Sequence, residues 1–197
     1  MPELKCPVCG SRLHKTEKTL KCPAGHSYDI AKQGYVNLLM SNRSSSRRHG
    51  DDKAMALART AFLDKGYYAC LRDAICTYAV DNTSGDVDML DAGCGEGWYT
   101  LAVKNAVEAD GRLCRVCGVD ISRDALIRAS KRSIGGDLVA ASVNSLPVAD
   151  GSCDLIINVF APNDDSEFAR VSRPGGILIR AVPTEDHLMG LKKGCLR

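Results

Sequence analysis

A chain of 197 residues with 45% hydrophobic and 25% charged residues has the composition of a folded globular protein, which excludes disorder throughout. No apolar run reaches the roughly 20 residues a membrane helix needs, and the start Met1-Pro2-Glu3-Leu4-Lys5 lacks the apolar core of a secretion signal, so a cytoplasmic location is expected. The ten cysteines then read as reduced thiols, used as metal ligands or small core residues, and the net charge of +2 hides a division: residues 1–50 hold nine Lys/Arg against three acids, the rest 17 against 21. Such a basic segment either meets a polyanion or is simply a solvated surface.

In chain order, residues 1–38 come first, a small module rich in Cys, Lys and Gly. Cys6-Pro-Val-Cys9 is followed by Cys22 and then His26. Two short knuckles that each offer two donors suit a tetrahedral zinc ion with no open position, hence a structural one; the plainer reading is four unrelated residues or a labile disulfide pair. A segment of this size needs such a staple to fold. Residues 39–52 include Ser41-Asn-Arg-Ser-Ser-Ser-Arg-Arg-His-Gly50 and read as a basic linker.

Residues 53–197 form the third segment. Apolar residues at helical spacing run from Met55 to Leu63 and from Leu71 to Val80. Beyond Gly85 the chain alternates, with strands predicted at Val87–Asp91, Val116–Asp120, Leu138–Ala141, Leu155–Phe160 and Ile177–Val182. Helices are predicted at Gly97–Glu108, Arg123–Ser133 and Asp164–Ser172. Alternating βα units indicate an α/β fold with a mostly parallel, doubly wound sheet. Cys114 and Cys117, at the entry to a predicted buried strand, read as core packing, and Cys70, Cys76, Cys153 and Cys195 as ordinary small residues.

Asp91-Ala-Gly93-Cys-Gly95-Glu96-Gly97-Trp98 leads from a strand straight into a helix. Its glycines let the backbone turn tightly and approach a ligand, but G-x-G-x-G is not the dinucleotide spacing. Asp91 would repel a pyrophosphate and suits the amino group of a zwitterion. Asp120 ends the next strand, where a carboxylate accepts both hydroxyls of a ribose, and Ala141-Ser-Val-Asn-Ser145 closes the third, beside an adenine edge. Together with Arg173-Pro-Gly-Gly176 these pieces resemble the class I S-adenosylmethionine-dependent methyltransferases, which are Rossmann-like.

The likeness extends over nearly all of residues 4–193. With the cysteine module, Ala31-Lys-Gln-Gly-Tyr-Val-Asn-Leu-Leu39, Gly50-Asp-Asp, Ala61-Phe-Leu-Asp-Lys-Gly-Tyr-Tyr68, Leu71-Arg-Asp-Ala-Ile75 and His187-Leu-Met189 resemble the RlmA-like 23S rRNA (guanine-N1)-methyltransferases. The resemblance implies methylation of N1 of one guanine in a hairpin of 23S ribosomal RNA, in a homodimer whose zinc modules hold the RNA; one branch of the family confers macrolide resistance. Cys6, Cys9, Cys22 and His26 match its zinc ligands. Tyr68, Asp91, Gly93, Gly95, Glu96, Gly97, Trp98, Asp120 and His187 fall at its S-adenosylmethionine pocket, although Tyr68 also suits helix packing and His187 a surface position. Val159-Phe-Ala-Pro162-Asn-Asp-Asp165 departs from relatives after the Ala-Pro, and no residue is assigned as the general base.

Family members continue beyond Leu191-Lys-Lys193 with a helix and two strands, so the sheet is expected to lack its last two strands and to leave the fifth as an edge. The alternative function is a catalytically impaired zinc and RNA-binding protein that retains the methyltransferase fold. A small-molecule methyltransferase with an incidental zinc knuckle is the third reading, and it predicts no salt-dependent RNA binding.

Overall fold

The computed structural model describes residues 2–40, 53–187 and 189. Most of the expected 39–52 linker, the Gly50-Asp-Asp motif, Leu188, and the tail from residue 190 with Cys195 lie outside the described residues.

Three short antiparallel strands, β1 (His14–Lys15), β2 (Thr19–Lys21) and β3 (Ser27–Asp29), form the ribbon of the N-terminal module. The next strand, β4 (Tyr35–Asn37), leaves that ribbon and pairs in parallel with β7 (Asp137–Ala140), from Tyr35↔Leu138 to Asn37↔Ala140. It becomes one edge of the large sheet. The remaining elements are α1 (Lys53–Asp64), α2 (Ala69–Asn82), β5 (Val87–Ala92), α3 (Trp98–Ala109), β6 (Cys114–Asp120), α4 (Arg123–Lys131), β8 (Cys153–Val159), α5 (Asp165–Val171) and β9 (Ser172–Ala181).

The sheet runs β4-β7-β6-β5-β8-β9, every pair parallel. Setting β4 aside, β7-β6-β5-β8-β9 steps outward from β5 in both directions, as a doubly wound sheet does, and β9 is an edge among the described residues, with Leu178 43% exposed. Each predicted strand and helix beyond Gly85 has its counterpart. The predicted elements omit β4, which has only three residues and no alternation long enough to announce a strand.

All six residues of β5 are buried, because a central parallel strand is covered on both faces. The alternating side chains separate into two cores. Val87, Met89, Val116, Leu155 and Ile157 face one way, against Ile75, Val103, Val107 and Leu126 of α2, α3 and α4. Leu90, Ala92, Val119 and Ile156 face the other way. There they meet Phe168 and Val171 of α5 together with Leu4, Leu13, Leu20, Val36 and Leu38 of the N-terminal segment. The cysteine module is therefore a layer of the sheet's second face, where a helix would otherwise lie. Backbone seals this contact: Lys5 N–H donates to Pro147 O at 2.9 Å and Ala149 N–H to Glu3 O at 2.8 Å. Two ion pairs cross it as well, Lys5–Asp150 at 3.2 Å and Lys15–Asp137 at 2.7 Å. Cys114 and Cys117 are 2% and 0% exposed, as core packing requires, and Cys153 is likewise buried; Cys76 is half-buried and Cys70 exposed.

Candidate active site and zinc centre

In the N-terminal module, Gly10 and Gly25 adopt φ of +72° and +88°, which closes each knuckle: Gly10 N–H donates to Cys6 O at 2.8 Å and Gly25 N–H to Cys22 O at 3.0 Å. The turns bring the donor atoms of Cys6, Cys9, Cys22 and His26 within 4.8 Å of one another. Cys22 Sγ stands 3.3 Å from His26 Nδ1, Cys6 Sγ 3.6 Å from the same nitrogen, and Cys9 Sγ 3.6 Å from Cys22 Sγ. A tetrahedron with Zn–S bonds of about 2.3 Å and Zn–N bonds of about 2.0 Å has edges of about 3.5–3.8 Å. The donor set fits zinc in number, chemistry and spacing, with no vertex left for substrate. Tyr28 Oη donates to Cys6 Sγ at 3.0 Å and steadies that ligand, while burial and the neighbouring thiols push the phenol's pKa upward.

The second site is a cavity of about 620 Å³ at the carboxyl ends of β5, β6, β7 and β8, where open parallel sheets bind ligands. Its floor is the glycine turn. Gly93 has φ of +88°, and a side chain there would collide with Ala161 of the loop after β8; Gly97, with φ of +76° at the start of α3, would drive one into Ile134. These glycines allow two neighbouring segments to close on the turn. Asp120 lies at the cavity wall, its Oδ2 accepting from Gly95 N–H and its Oδ1 from Ser122 N–H, both at 2.8 Å. Ser142, Val143 and Asn144 line the wall beyond β7.

Of the nine residues expected at the cofactor pocket, Tyr68, Gly93, Gly95, Glu96, Trp98, Asp120 and His187 line this cavity. Tyr68 Oη and His187 Nε2 are 3.2 Å apart, which joins the entry of α2 to the segment after β9. Gly97 lies behind the wall, as does Asp91. Asp91 is 2% exposed and accepts from Thr100 Oγ1 at 2.5 Å, so it ties β5 to α3. Burial above all, and then the nearby Asp120 charge, raises its pKa to about 7. Glu96 is 3% exposed and already held by Arg132 Nη2 at 2.5 Å and by the Thr60 hydroxyl. It clamps α1 and the end of α4 to the glycine turn.

Among the cavity residues outside the predicted cofactor set are three aromatic ones, Phe62, Tyr99 and Phe160. The Tyr99 hydroxyl is buried without a hydrogen-bond partner among the described residues, and burial raises its pKa to about 12, so it remains a donor. Phe160 takes a left-handed φ of +52°, a conformation foreign to bulky side chains that nothing in the sequence betrays. Trp98 and Tyr99, which follow the glycines, and Phe160 are among the few aromatic residues that the sequence offers for stacking, but the sequence does not place them in one cavity.

The parallel sheet, the glycine turn, the ribose-type acid and the closed Cys3His cluster define a class I S-adenosylmethionine-dependent methyltransferase with an N-terminal zinc ribbon. Comparisons agree for both parts: the family model for the RlmA N-terminal zinc ribbon matches residues 4–47, and that for a methyltransferase domain matches residues 89–176. The chain is 38% identical to a putative 23S rRNA (guanine-N(1)-)-methyltransferase of Micromonospora griseorubida, over 100% of this chain and 72% of that protein. It is 37% identical to the 23S rRNA (guanine(748)-N(1))-methyltransferase of Streptomyces fradiae, over 95% of this chain and 66% of that one. Among solved structures, a putative S-adenosylmethionine-dependent methyltransferase of Methanococcus maripaludis superposes with a TM-score of 0.58 at 18% identity, over 78% of this chain and 75% of that chain, which shows the shared fold. The chain belongs to the 23S rRNA (guanine-N1)-methyltransferase family.

Proposed function

We propose that this protein transfers the methyl group of S-adenosylmethionine to N1 of one guanine in a hairpin of 23S ribosomal RNA, as a homodimer in the cytoplasm. The observation that carries the reading is the joint presence, through one shared core, of a Cys3His ribbon and the cavity at the glycine turn. Lys18, Lys21 and Lys32 of the basic segment are exposed and lack an acid partner among the described residues, so they suit RNA phosphates. By contrast Lys5, Arg12 and Lys15 are tied to Asp150, Glu3 and Asp137. A zinc ion held by Cys6, Cys9, Cys22 and His26 would fix the ribbon's shape and take no part in the chemistry.

When bound, S-adenosylmethionine supplies an electrophilic methyl on a sulfonium. Asp120 would accept its ribose hydroxyls, Ser142–Asn144 would border its adenine, and the backbone of Gly93–Gly95 would hold its methionine arm. Transfer to guanine N1 would break the methyl carbon–sulfur bond and leave S-adenosylhomocysteine, while the N1 proton would pass to solvent. The cavity contributes orientation and exclusion of water, and orientation alone is a large share of such a barrier. Because a base stacked in a hairpin cannot enter, the guanine is flipped outward first.

The test is transfer from labelled S-adenosylmethionine to ribosomal RNA that lacks N1-methylguanine, followed by mapping of the modified position. Label at one guanine of the large-subunit RNA is expected. No label with zinc bound and the chain folded overturns the proposal, and cofactor binding without transfer identifies the catalytically impaired alternative. If the relatives' resistance branch includes this protein, expression in a macrolide-sensitive strain that lacks the modification raises the drug concentration tolerated.

A further inference from the structure

The chain is poor in aromatic residues, with three Phe, six Tyr and one Trp. Half of them, Phe62, Tyr68, Trp98, Tyr99 and Phe160, line the one cavity at the glycine turn. Asp120 and the loop after β7 mark the end of the cavity suited to a nucleoside. Phe160 stands elsewhere on the wall, on the loop that follows β8.

Its backbone is held by several contacts at once. Phe160 N–H donates to Ala181 O at 2.9 Å. Asn158 Nδ2 spans the loop beneath it, donating to Ala92 O at 2.7 Å and Pro162 O at 3.0 Å, and Ala161 sits against Gly93. These contacts maintain the left-handed φ of +52°, a strained state that persists only where its surroundings over-determine it and that concentrates at functional positions. The ring is only half-buried, so core packing does not explain the strain. Tyr68 meets it edge-on at 5.5 Å, His187 lies tilted against it at 5.3 Å, and the Tyr68–His187 hydrogen bond fixes these two supports to each other.

We propose that the Phe160 ring is the stacking face for the flipped guanine, with Tyr68 and His187 as positioning residues that hold the ring in place. The inference rests on the RNA methylation reading above and adds the residue that receives the base. A flat hydrocarbon ring suits the task because every base has a π-face, and the stack favours the extruded state over the stacked hairpin. Since the extruded state is a minor fraction of the bound RNA, loss of the stack lowers turnover more than it weakens RNA or cofactor binding.

The experiment compares the full chain with Phe160→Ala, Phe160→Leu and Phe160→Tyr in methyl transfer to unmodified 23S RNA, with S-adenosylmethionine affinity measured separately by calorimetry. Stacking on one base is worth about 1–3 kcal/mol, so kcat is expected to fall about 5- to 150-fold for the alanine and leucine variants. Tyrosine keeps a flat ring and is expected to hold kcat within about threefold, with cofactor affinity unchanged in all three variants. Leucine preserves bulk, so a loss there cannot be assigned to an unfilled cavity. Parental kcat in the leucine variant overturns the proposal, and so does a loss matched by an equal loss of cofactor affinity. A parent that methylates no guanine overturns the underlying reading and this one together; an active parent with active variants overturns this one alone.

Discussion

Asp91 is a carboxylate whose burial raises its pKa to about 7 while Thr100 holds one of its oxygens. An acid raised above its unfolded value of 3.8 binds a proton more tightly in the folded protein, so stability falls as pH rises between those values and the penalty is constant above the upper one. Asp88 has the opposite sign: hydrogen bonds from Arg115 and Arg173 outweigh its burial and bring its pKa to about 2, so its contribution is present above the unfolded value and lost as pH falls through about 2. Replacing Asp91 with Asn is expected to flatten the fall in melting temperature from pH 4 to pH 7 and to leave the acid limb untouched; a thermal melt at each pH checks it. Tyr99 yields a second prediction. A buried hydroxyl with no partner costs about 1–3 kcal/mol, so Tyr99→Phe should raise the melting temperature of the ligand-free protein. If the hydroxyl serves the cofactor, the same change weakens S-adenosylmethionine binding about tenfold in calorimetry.

Among the elements, the turn between β5 and α3 is the best example of what the sequence makes legible. Its G-x-G-x-G spacing and the acid at Asp120 are local signals, and both residue sets meet at the cavity. Glu96 belongs to the same motif yet acts on Thr60 and Arg132, each 36 residues away in the chain, a partnership that no short-range pattern encodes. Strand β4 was hidden for a related reason: its three residues acquire their role from β7, about a hundred positions later. The left-handed turn at Phe160 was hidden because nothing but the surrounding loop forces a phenylalanine into it. The contact between Gly93 and Ala161 leads to a prediction here. Gly93→Ala combines a positive φ with a collision, so it should separate the loop after β8 from the turn and abolish cofactor binding in calorimetry. The same substitution at Gly111, whose φ is also positive but which has open space around it, should cost about 1 kcal/mol and leave binding intact.

For the whole molecule, the decisive fact is that the ribbon and the sheet share one core. Removing zinc releases the fold of Leu4, Leu13 and Leu20, whose burial is worth about 1.5–3 kcal/mol each, and uncovers the sheet face beneath them. A chelator should therefore lower the melting temperature of the entire chain in a single transition; a separate early transition with the sheet unaffected would show the ribbon to be independent. The expectation that basic charge in residues 1–50 serves RNA is narrowed too. With three of its cations held in ion pairs, replacing Lys18, Lys21 and Lys32 with Ala should reduce the slope of log affinity against log salt by about two to three. Changing Lys15, paired with Asp137, should move it much less.

Strand β4 also bears on how such an enzyme can be altered. The peptide that makes the zinc knuckles continues directly into a strand that borders β7, so a cut at residue 38 would remove part of the sheet and about a third of one core. The ribbon is not a cassette. Retargeting the enzyme to another RNA calls for rewriting the ribbon's exposed turns around Lys18 and Lys32, because transplanting the module would dismantle the catalytic body it helps to build.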